Sequence, residues 1–421
     1  MIQLSPDLTY PTQCPACNAA NPAGQVRFAG AVTLAESTCP VCATLYHQTL
    51  PIGQFNRFPV AVSYTGQHVR VAGRGRWLLD LVTCCAQPAP RTEVCLVSVV
   101  PGRGSISVTD QPSAIILLVC LDACYGHALM LLFNAQRHHD QHPDRPTIAI
   151  VPRSLVWLVP DYVAEIWVVD TPLAALNRPI PGLDAFINQQ LARFKTVWLS
   201  HGYNHFDHRT IRFADFTRTP KFDLNHFDQD AVRQITFVLR EDRLWLRFGW
   251  ERLAYRVSQR VGLVSKTRSF WIRWQVRRYR QLASHLQQLN PVIQLSVTGL
   301  TAADPATGFG ASVNDLRLPS PLSPVQERTW CAQYARSHVV VGVHGSGMLL
   351  PTSLAAGFVN LLPPDKLAHY AEDVLLAHDN PIHQTLLGRF LPTGSSPRQV
   401  AALLNSLLIE FPVWLNEARQ R

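Results

Sequence analysis

No stretch of the sequence stays apolar for long enough to cross a bilayer. The most apolar segment, 114–133, is broken by Asp122 and His127, which suits buried strand and helix. Nor is there a secretory leader, because Met1-Ile2-Gln3-Leu4-Ser5-Pro6-Asp7 has neither a basic stretch nor an apolar one. The expected location is the cytoplasm. Acidic residues are in the minority, 29 against 38 basic, giving a formal charge of +9. That balance points to anionic partners such as nucleotide ligands, nucleic acid or an acidic membrane surface, and says nothing about fold. Apolar residues are plentiful: 47% of 421 residues can fill the cores of two domains with an appendage to spare.

The most specific local pattern lies near the start. Cys14-Pro15-Ala16-Cys17 and Cys39-Pro40-Val41-Cys42 form two Cys-x-x-Cys pairs separated by 21 residues. Two such knuckles can bring four thiolates to a tetrahedral zinc, with strand-like Val26-Arg27-Phe28 and Val32-Thr33-Leu34 as the ribbon connecting them. Two disulfides are the alternative, which a reducing compartment disfavours. Only Arg27 is basic in the intervening segment, too little for phosphate contacts, so a structural or protein-docking role is expected for a module spanning 1–55. The other six cysteines, Cys84, Cys85, Cys95, Cys120, Cys124 and Cys331, read as core thiols.

Residues 56–230 alternate short apolar runs with mixed segments and show no internal repeat, as an α/β domain would. Strands are expected at 94–100, 115–120, 147–151, 166–169 and 196–199, with helices at 125–137 and 183–194. Asp122 and His127 fall at a strand end and the opening of a helix, where either could act as a general base, a cap or a core polar group. A second polar cluster, Ser200 to His208, holds three histidines and an aspartate; Gly202 favours a loop over helical metal spacing.

Residues 231–421 open with the strand Ile235–Leu239, which runs into Arg240-Glu241-Asp242-Arg243. An arginine at a strand's carboxyl end can fork onto a diphosphate, or simply pair with Glu241 or Asp242. A basic helical insertion, 246–286, follows. Arg252, Arg256 and Arg260 recur every four residues beside an apolar stripe, and aromatics then alternate with arginines from Phe270 to Arg280. That surface suits a membrane interface, a solvated helix face or single-stranded nucleic acid. Farther on, Val339-Val340-Val341-Gly342-Val343 reads as a strand buried on both faces, and it breaks into His344-Gly345-Ser346-Gly347-Met348 before an apolar helix. Glycines there let backbone N–H groups approach an anion, although a tight turn packed on a sheet uses them equally well.

The run from Val339 to Met348, its helix, and Gly357-Phe358-Val359-Asn360-Leu361-Leu362-Pro363 together resemble the signature of glycosyltransferase family 61. Ser346 stands where that family usually has alanine, Asn360 where it has glutamate, and Thr329-Trp330 where it commonly has Glu-Gln. The resemblance implies two Rossmann-like domains in a GT-B-like arrangement, a nucleotide-sugar donor, inversion at the anomeric carbon and no catalytic metal. It also implies donor contacts from Arg240, Arg243, Gly342, His344, Gly345, Ser346 and Gly347. The segment Tyr125-Gly126-His127 is similar to a cleft-facing aromatic-histidine pair of the family's first domain, with Asp122 beside it. Asp228-Gln229-Asp230, the one Asp-x-Asp spelling, precedes the first strand of the donor domain and so sits in the wrong place for a metal loop.

The sequence therefore predicts an α/β protein with a small zinc ribbon (1–55), an acceptor domain (56–230) and a donor domain (231–421). Its expected activity is transfer of a hexose or pentose to a glycan or lipid-linked hydroxyl in bacterial polysaccharide or glycoconjugate synthesis, with structural Zn2+ at Cys14, Cys17, Cys39 and Cys42. Peripheral association with the inner membrane face is a further expectation, and nucleic acid is not an expected partner. The competing readings are a zinc-ribbon nucleic-acid-binding protein and a transferase-like scaffold without activity.

Overall fold

The computed structural model describes residues 1–4, 7–71, 78–86, 97–103, 114–203, 207–229, 232–300, 308–319, 322–370, 374–375 and 386–420. It divides into two units, 1–206 and 207–421.

In the first unit, β1 (Ile2–Leu4) joins a sheet made mostly of later strands, and the next six strands form an antiparallel sheet in sequence order. These are β2 (Thr9–Gln13), β3 (Ala20–Phe28), β4 (Thr33–Thr38), β5 (Leu45–Thr49), β6 (Val60–Ser63) and β7 (Val69–Val71), followed by the helix α1 (Leu79–Ala86). The sheet thus carries both knuckles and runs on to Val71. Its Val26, Phe28, Ala35 and Leu50 share one buried cluster with Ile115, Leu117, Trp167 and Leu199, and the Phe28 amide donates to Asp184 Oδ1 at 2.7 Å.

The remaining elements of this unit build a mixed sheet: β8 (Val97–Pro101), β9 (Ala114–Val119), α2 (Tyr125–Gln141), β10 (Thr147–Pro152), β11 (Glu165–Val169), α3 (Leu183–Leu191) and β12 (Thr196–Leu199). Strand order is β1-β12-β9-β10-β11-β8, with the four inner strands parallel and both edge strands antiparallel. The chain moves outward from β9 through β10 to β11, then returns to the other side of β9 as β12. The order therefore reverses between β9 and β12, and in open α/β sheets the crevice outside the carboxyl ends at such a reversal is where ligands bind.

The second unit repeats this plan. After α4 (Phe213–Thr217) come β13 (Gln234–Leu239), α5 (Gly249–Arg260), α6 (Val264–Leu289), β14 (Gln294–Gly299), β15 (Val313–Asp315) and α7 (Pro324–Ala335). Then follow β16 (Val339–Val343), α8 (Leu349–Leu354), β17 (Gly357–Leu362), β18 (Gly388–Pro392) and α9 (Pro397–Gln420). All six strands are parallel in the order β15-β14-β13-β16-β17-β18. Valines at 339 and 341, buried on the sheet, pack with Val276, Tyr279 and Leu286 of α6 and Leu404, Leu407 and Phe411 of α9. Here the order reverses between β13 and β16.

The α/β class expected from the sequence, with two Rossmann-like sheets behind a cysteine module, is the one the chain adopts. The strand expected at 94–100 is Val97–Pro101, with 94–96 outside the described residues. Among the described residues no helix is long and apolar enough to cross a membrane.

Candidate functional site

The knuckles bring Cys14, Cys17, Cys39 and Cys42 together, one ligand atom from each lying within 4.8 Å of all the others. The two turns are copies. In each, the amide two residues after the first cysteine donates to its sulfur at 3.4 Å, and the residue four positions on, Asn18 or Ala43, takes a left-handed conformation. Sγ–Sγ separations of 3.6 Å (Cys14 to Cys42) and 3.4 Å (Cys17 to Cys39) are too long for disulfides and close to the roughly 3.8 Å edge of a tetrahedron with Zn–S near 2.3 Å. The Thr44 hydroxyl and amide hold the Cys42 thiol down at about 6. Against the lowering contact from Ala19, the neighbouring Cys39 and Cys42 sulfurs push Cys17 up to about 12. Four such sulfurs become thiolates together only with a cation among them. The donor set and spacing fit a structural metal.

At the β9–β12 reversal the structure places Asp122 and His127 side by side. Asp122 Oδ1 accepts from the Cys124 amide at 2.7 Å, an Asx turn that opens α2, while Oδ2 lies 3.3 Å from His127 Nδ1. Both side chains are partly exposed and line a cavity of about 310 Å3 with Phe55, Leu121, Leu131 and Asn177. Gln54, on a short 3-10 turn (Gly53–Asn56), reaches into the same cavity with its amide nitrogen 3.1 Å from His127 Nδ1 and 3.5 Å from Nε2. The turn is anchored from the segment that follows β12: the Gly53 amide donates to the His201 carbonyl at 2.6 Å, and His201 Nδ1 lies 2.8 Å from the Pro51 carbonyl oxygen. Of the Ser200–His208 cluster, Ser200 bonds buried His138 at 2.7 Å, whereas residues 204–206 lie outside the described residues. Among the described residues the only grouping able to hold a metal is the four-cysteine one.

At the β13–β16 reversal the second site assembles from two glycines and two arginines. Gly347 has no room for a side chain: an added Cβ would overlap Arg240 Nη1 and sit 2.7 Å from its Cδ. An added Cβ on Gly345, whose φ is 151°, would lie 3.4 Å from the Arg243 Cζ. The glycines thus form the floor on which the two guanidinium groups rest. Gly342 serves packing instead, since its missing Cβ leaves space for Met348 and brings it close to the Val238 carbonyl. Arg240 forks onto Asp242, donating through Nε at 2.8 Å and Nη2 at 2.7 Å. Burial would raise the Asp242 carboxyl, but the Arg240 hydrogen bonds and charge hold it below its ordinary value. Gln275 of α6 fixes the loop, donating to the Arg240 carbonyl at 3.0 Å and accepting from the Trp245 amide at 3.2 Å.

His344 lies under this floor, fully buried. Its Nε2 donates to the His369 carbonyl at 3.2 Å and its Nδ1 accepts from Asn360 Nδ2 at 3.4 Å. The ring is therefore a brace for the loop, held in the Nε2–H tautomer. Asn360, also fully buried, stands where the resembled family usually has glutamate, and here it braces His344 as a neutral donor. Ser346 begins the 3-10 turn Ser346–Met348 at the rim.

Sequence reasoning missed Gln54, which is 73 positions from the histidine it touches and carries no local signal. The pairing of His344 with Asn360 was findable, because two polar residues interrupt apolar runs on adjacent strands. No family model matches the sequence, and no curated protein matches it significantly. Solved structures with a similar chain course include the E. coli ADP-heptose lps heptosyltransferase II (14% identity, 71% of this chain and 99% of that one, TM-score 0.38). Others are the E. coli heptosyltransferase WaaC with ADP (14%, 70% and 97%, 0.36) and the iron-containing dodecameric glycosyltransferase TibC of enterotoxigenic E. coli (12%, 84% and 79%, 0.26). Likeness at TM-scores this low carries no argument about what this chain does.

Proposed function

We propose that the protein is an inverting glycosyltransferase of the kind the family 61 resemblance implies, moving a hexose or pentose from a nucleotide sugar to a hydroxyl of a glycan or lipid-linked acceptor. One observation carries the reading: Arg240 and Arg243 rest on Gly347 and Gly345 at the β13–β16 reversal, outside the carboxyl ends of a fully parallel sheet. Two guanidinium groups on a side-chain-free floor suit a diphosphate, which each can grip with a planar fork. Asp242 keeps the Arg240 fork aligned until the ligand takes it.

In the reaction, His127 Nε2 takes the proton of the acceptor hydroxyl, with Asp122 orienting the ring through Nδ1. The hydroxyl oxygen forms the new bond to the anomeric carbon from the face opposite the diphosphate. As the bond to the diphosphate oxygen breaks, Arg240 and Arg243 neutralise the charge that develops there. No metal is needed for that step in this scheme. The 1–206 unit would then be the acceptor unit and the 207–421 unit the donor unit, working in the cytoplasm on bacterial polysaccharide or glycoconjugate. We assign zinc to the four-cysteine cluster as a structural cross-link holding the β2–β3 turn to the β4–β5 turn.

A thermal-shift screen against sugar nucleotides, free nucleoside diphosphates and oligonucleotides tests the reading. One class of nucleotide should raise the melting temperature of the wild type and fail to do so for Arg240→Ala. Stabilisation by oligonucleotides alone, falling steeply with salt, would put a nucleic-acid partner in its place.

A further inference from the structure

The α5–α6 hairpin carries surface chemistry that neither site uses. On α5 and the residue that caps it, Trp250, Leu253, Val257 and Val261 are 57%, 62%, 49% and 59% exposed. Their spacing places them within about 80° of one another around the helix, and the buried Glu251 and Ser258 lie roughly 100–120° from the centre of the stripe. The stripe therefore faces solvent, away from the packed side. It continues over the turn through exposed Leu263 and onto α6 at exposed Phe270.

Cations border it. Arg256 and Arg260 run along one edge of the stripe, and Lys266, Arg273 and Arg277 extend the field along α6, all exposed and with no acidic partner among the described residues. From 249 to 289 the only acid is Glu251, which is buried, ion-paired with Arg278 and hydrogen-bonded by the Trp274 indole at 2.9 Å. That internal pair, with the edge-on contact of Trp250 and Trp274 at 6.1 Å, fixes the two helices to each other so that the stripe is presented as a rigid surface.

We infer that this hairpin docks the protein on an anionic bilayer surface, with the apolar stripe at the boundary of headgroups and acyl chains and the cations among the phosphates. Aliphatic side chains favour this occupant over single-stranded nucleic acid, whose bases gain from open aromatic faces rather than from leucine and valine. A second copy of the chain is disfavoured as well, because a two-fold pairing of this face would set its cations against one another. The inference is independent of the transferase reading. If that reading also holds, membrane docking narrows the acceptor to a lipid-linked or membrane-proximal glycan.

The test is flotation of the full-length protein with vesicles of phosphatidylcholine alone and of phosphatidylcholine with phosphatidylglycerol. Wild type should float with the anionic vesicles, and float less as salt rises. Arg256→Ala with Arg260→Ala should weaken partitioning roughly 30-fold, at the scale expected for two cations near an anionic surface. Leu253→Glu with Val257→Glu should abolish flotation while leaving the melting temperature unchanged, since both side chains are exposed. Two results would overturn the inference: flotation that survives Leu253→Glu with Val257→Glu; or wild type that stays in solution with anionic vesicles, in which case a light-scattering mass that falls on that substitution would make the face a self-association surface. Nucleotide binding by the docking variants reports separately on the transferase reading, because neither substitution touches the glycine–arginine floor.

Discussion

The two Rossmann-like sheets share a winding order and differ in what stands at the reversal. In the first unit, the crevice outside β9 and β12 holds a carboxylate, an imidazole and an amide around a cavity. In the second, the crevice outside β13 and β16 holds two guanidinium groups on bare backbone. In the proposed reading, one plan thus serves a proton-handling end and an anion-handling end. Topology decides where a ligand can sit, and the loop residues decide which ligand. The edges differ too: the first sheet is closed at both sides by antiparallel strands, one of them the N-terminal β1, whereas the second is parallel throughout.

The largest expected effect separates the units as folding bodies. With the zinc proposed above at the four cysteines, removing the metal, or replacing Cys14 and Cys39 by serine, should take away binding free energy on the order of 10 kcal/mol, the scale of structural zinc sites. Amide exchange should lose protection across β2–β5 and keep it across β13, β16 and β17. Loss across both units would join them into one cooperative body.

Next in size is His127→Ala, which should lower turnover about 10²- to 10⁴-fold and leave nucleoside diphosphate affinity unchanged. Asp122→Asn should follow it more weakly, by misplacing the ring. Arg240→Ala should do the reverse at the other end, weakening nucleotide affinity about 10- to 100-fold through loss of charge-assisted hydrogen bonds. Gly347→Ala should produce a smaller loss of the same kind, about tenfold, with little change in melting temperature, because the group displaced is the end of a flexible side chain. If Gly347→Ala unfolds the unit instead, the glycine serves the backbone and not the arginine.

The smallest effect concerns pH and again divides the units. Burial drives His138 in the first unit down to about 3, so the folded state holds it neutral. Its contribution is complete above its ordinary value of 6.5 and is lost as pH falls toward 3. Burial drives Glu327 of α7 up to about 7, so its contribution is complete below 4.5 and is lost as pH rises through 7. Glu327→Gln should therefore raise the melting temperature by a few degrees at pH 8 and leave it unchanged at pH 4. Equal gains at both values would mean that Glu327 is not held protonated.

Much of this arrangement was legible in the sequence, for identifiable reasons. Strands buried on both faces, such as β10 and β16, appear as short apolar runs rich in β-branched residues, and the knuckles and the glycine run are local patterns. The amphipathic period of α5 also showed in the letters. What stayed hidden depends on distant pairing. β1 is three residues long and is a strand only because Leu199 to Val197 lie beside it. β5 to β7 hold to each other by antiparallel pairing with no strong apolar alternation of their own. At the sites, Gln54 meets His127 through an anchor just beyond β12 that no local pattern encodes, whereas the burial of His344, a polar residue set between apolar runs and bonded to the His369 carbonyl, was readable as a core histidine.

The central claim is that the anion-handling end belongs to the second unit alone. Calorimetric titration of nucleoside diphosphates into wild type, Arg240→Ala and His127→Ala tests it most directly. The account predicts that one of them binds wild type and His127→Ala alike and binds Arg240→Ala at least tenfold more weakly. Equal binding to wild type and Arg240→Ala, or loss on His127→Ala instead, would contradict it.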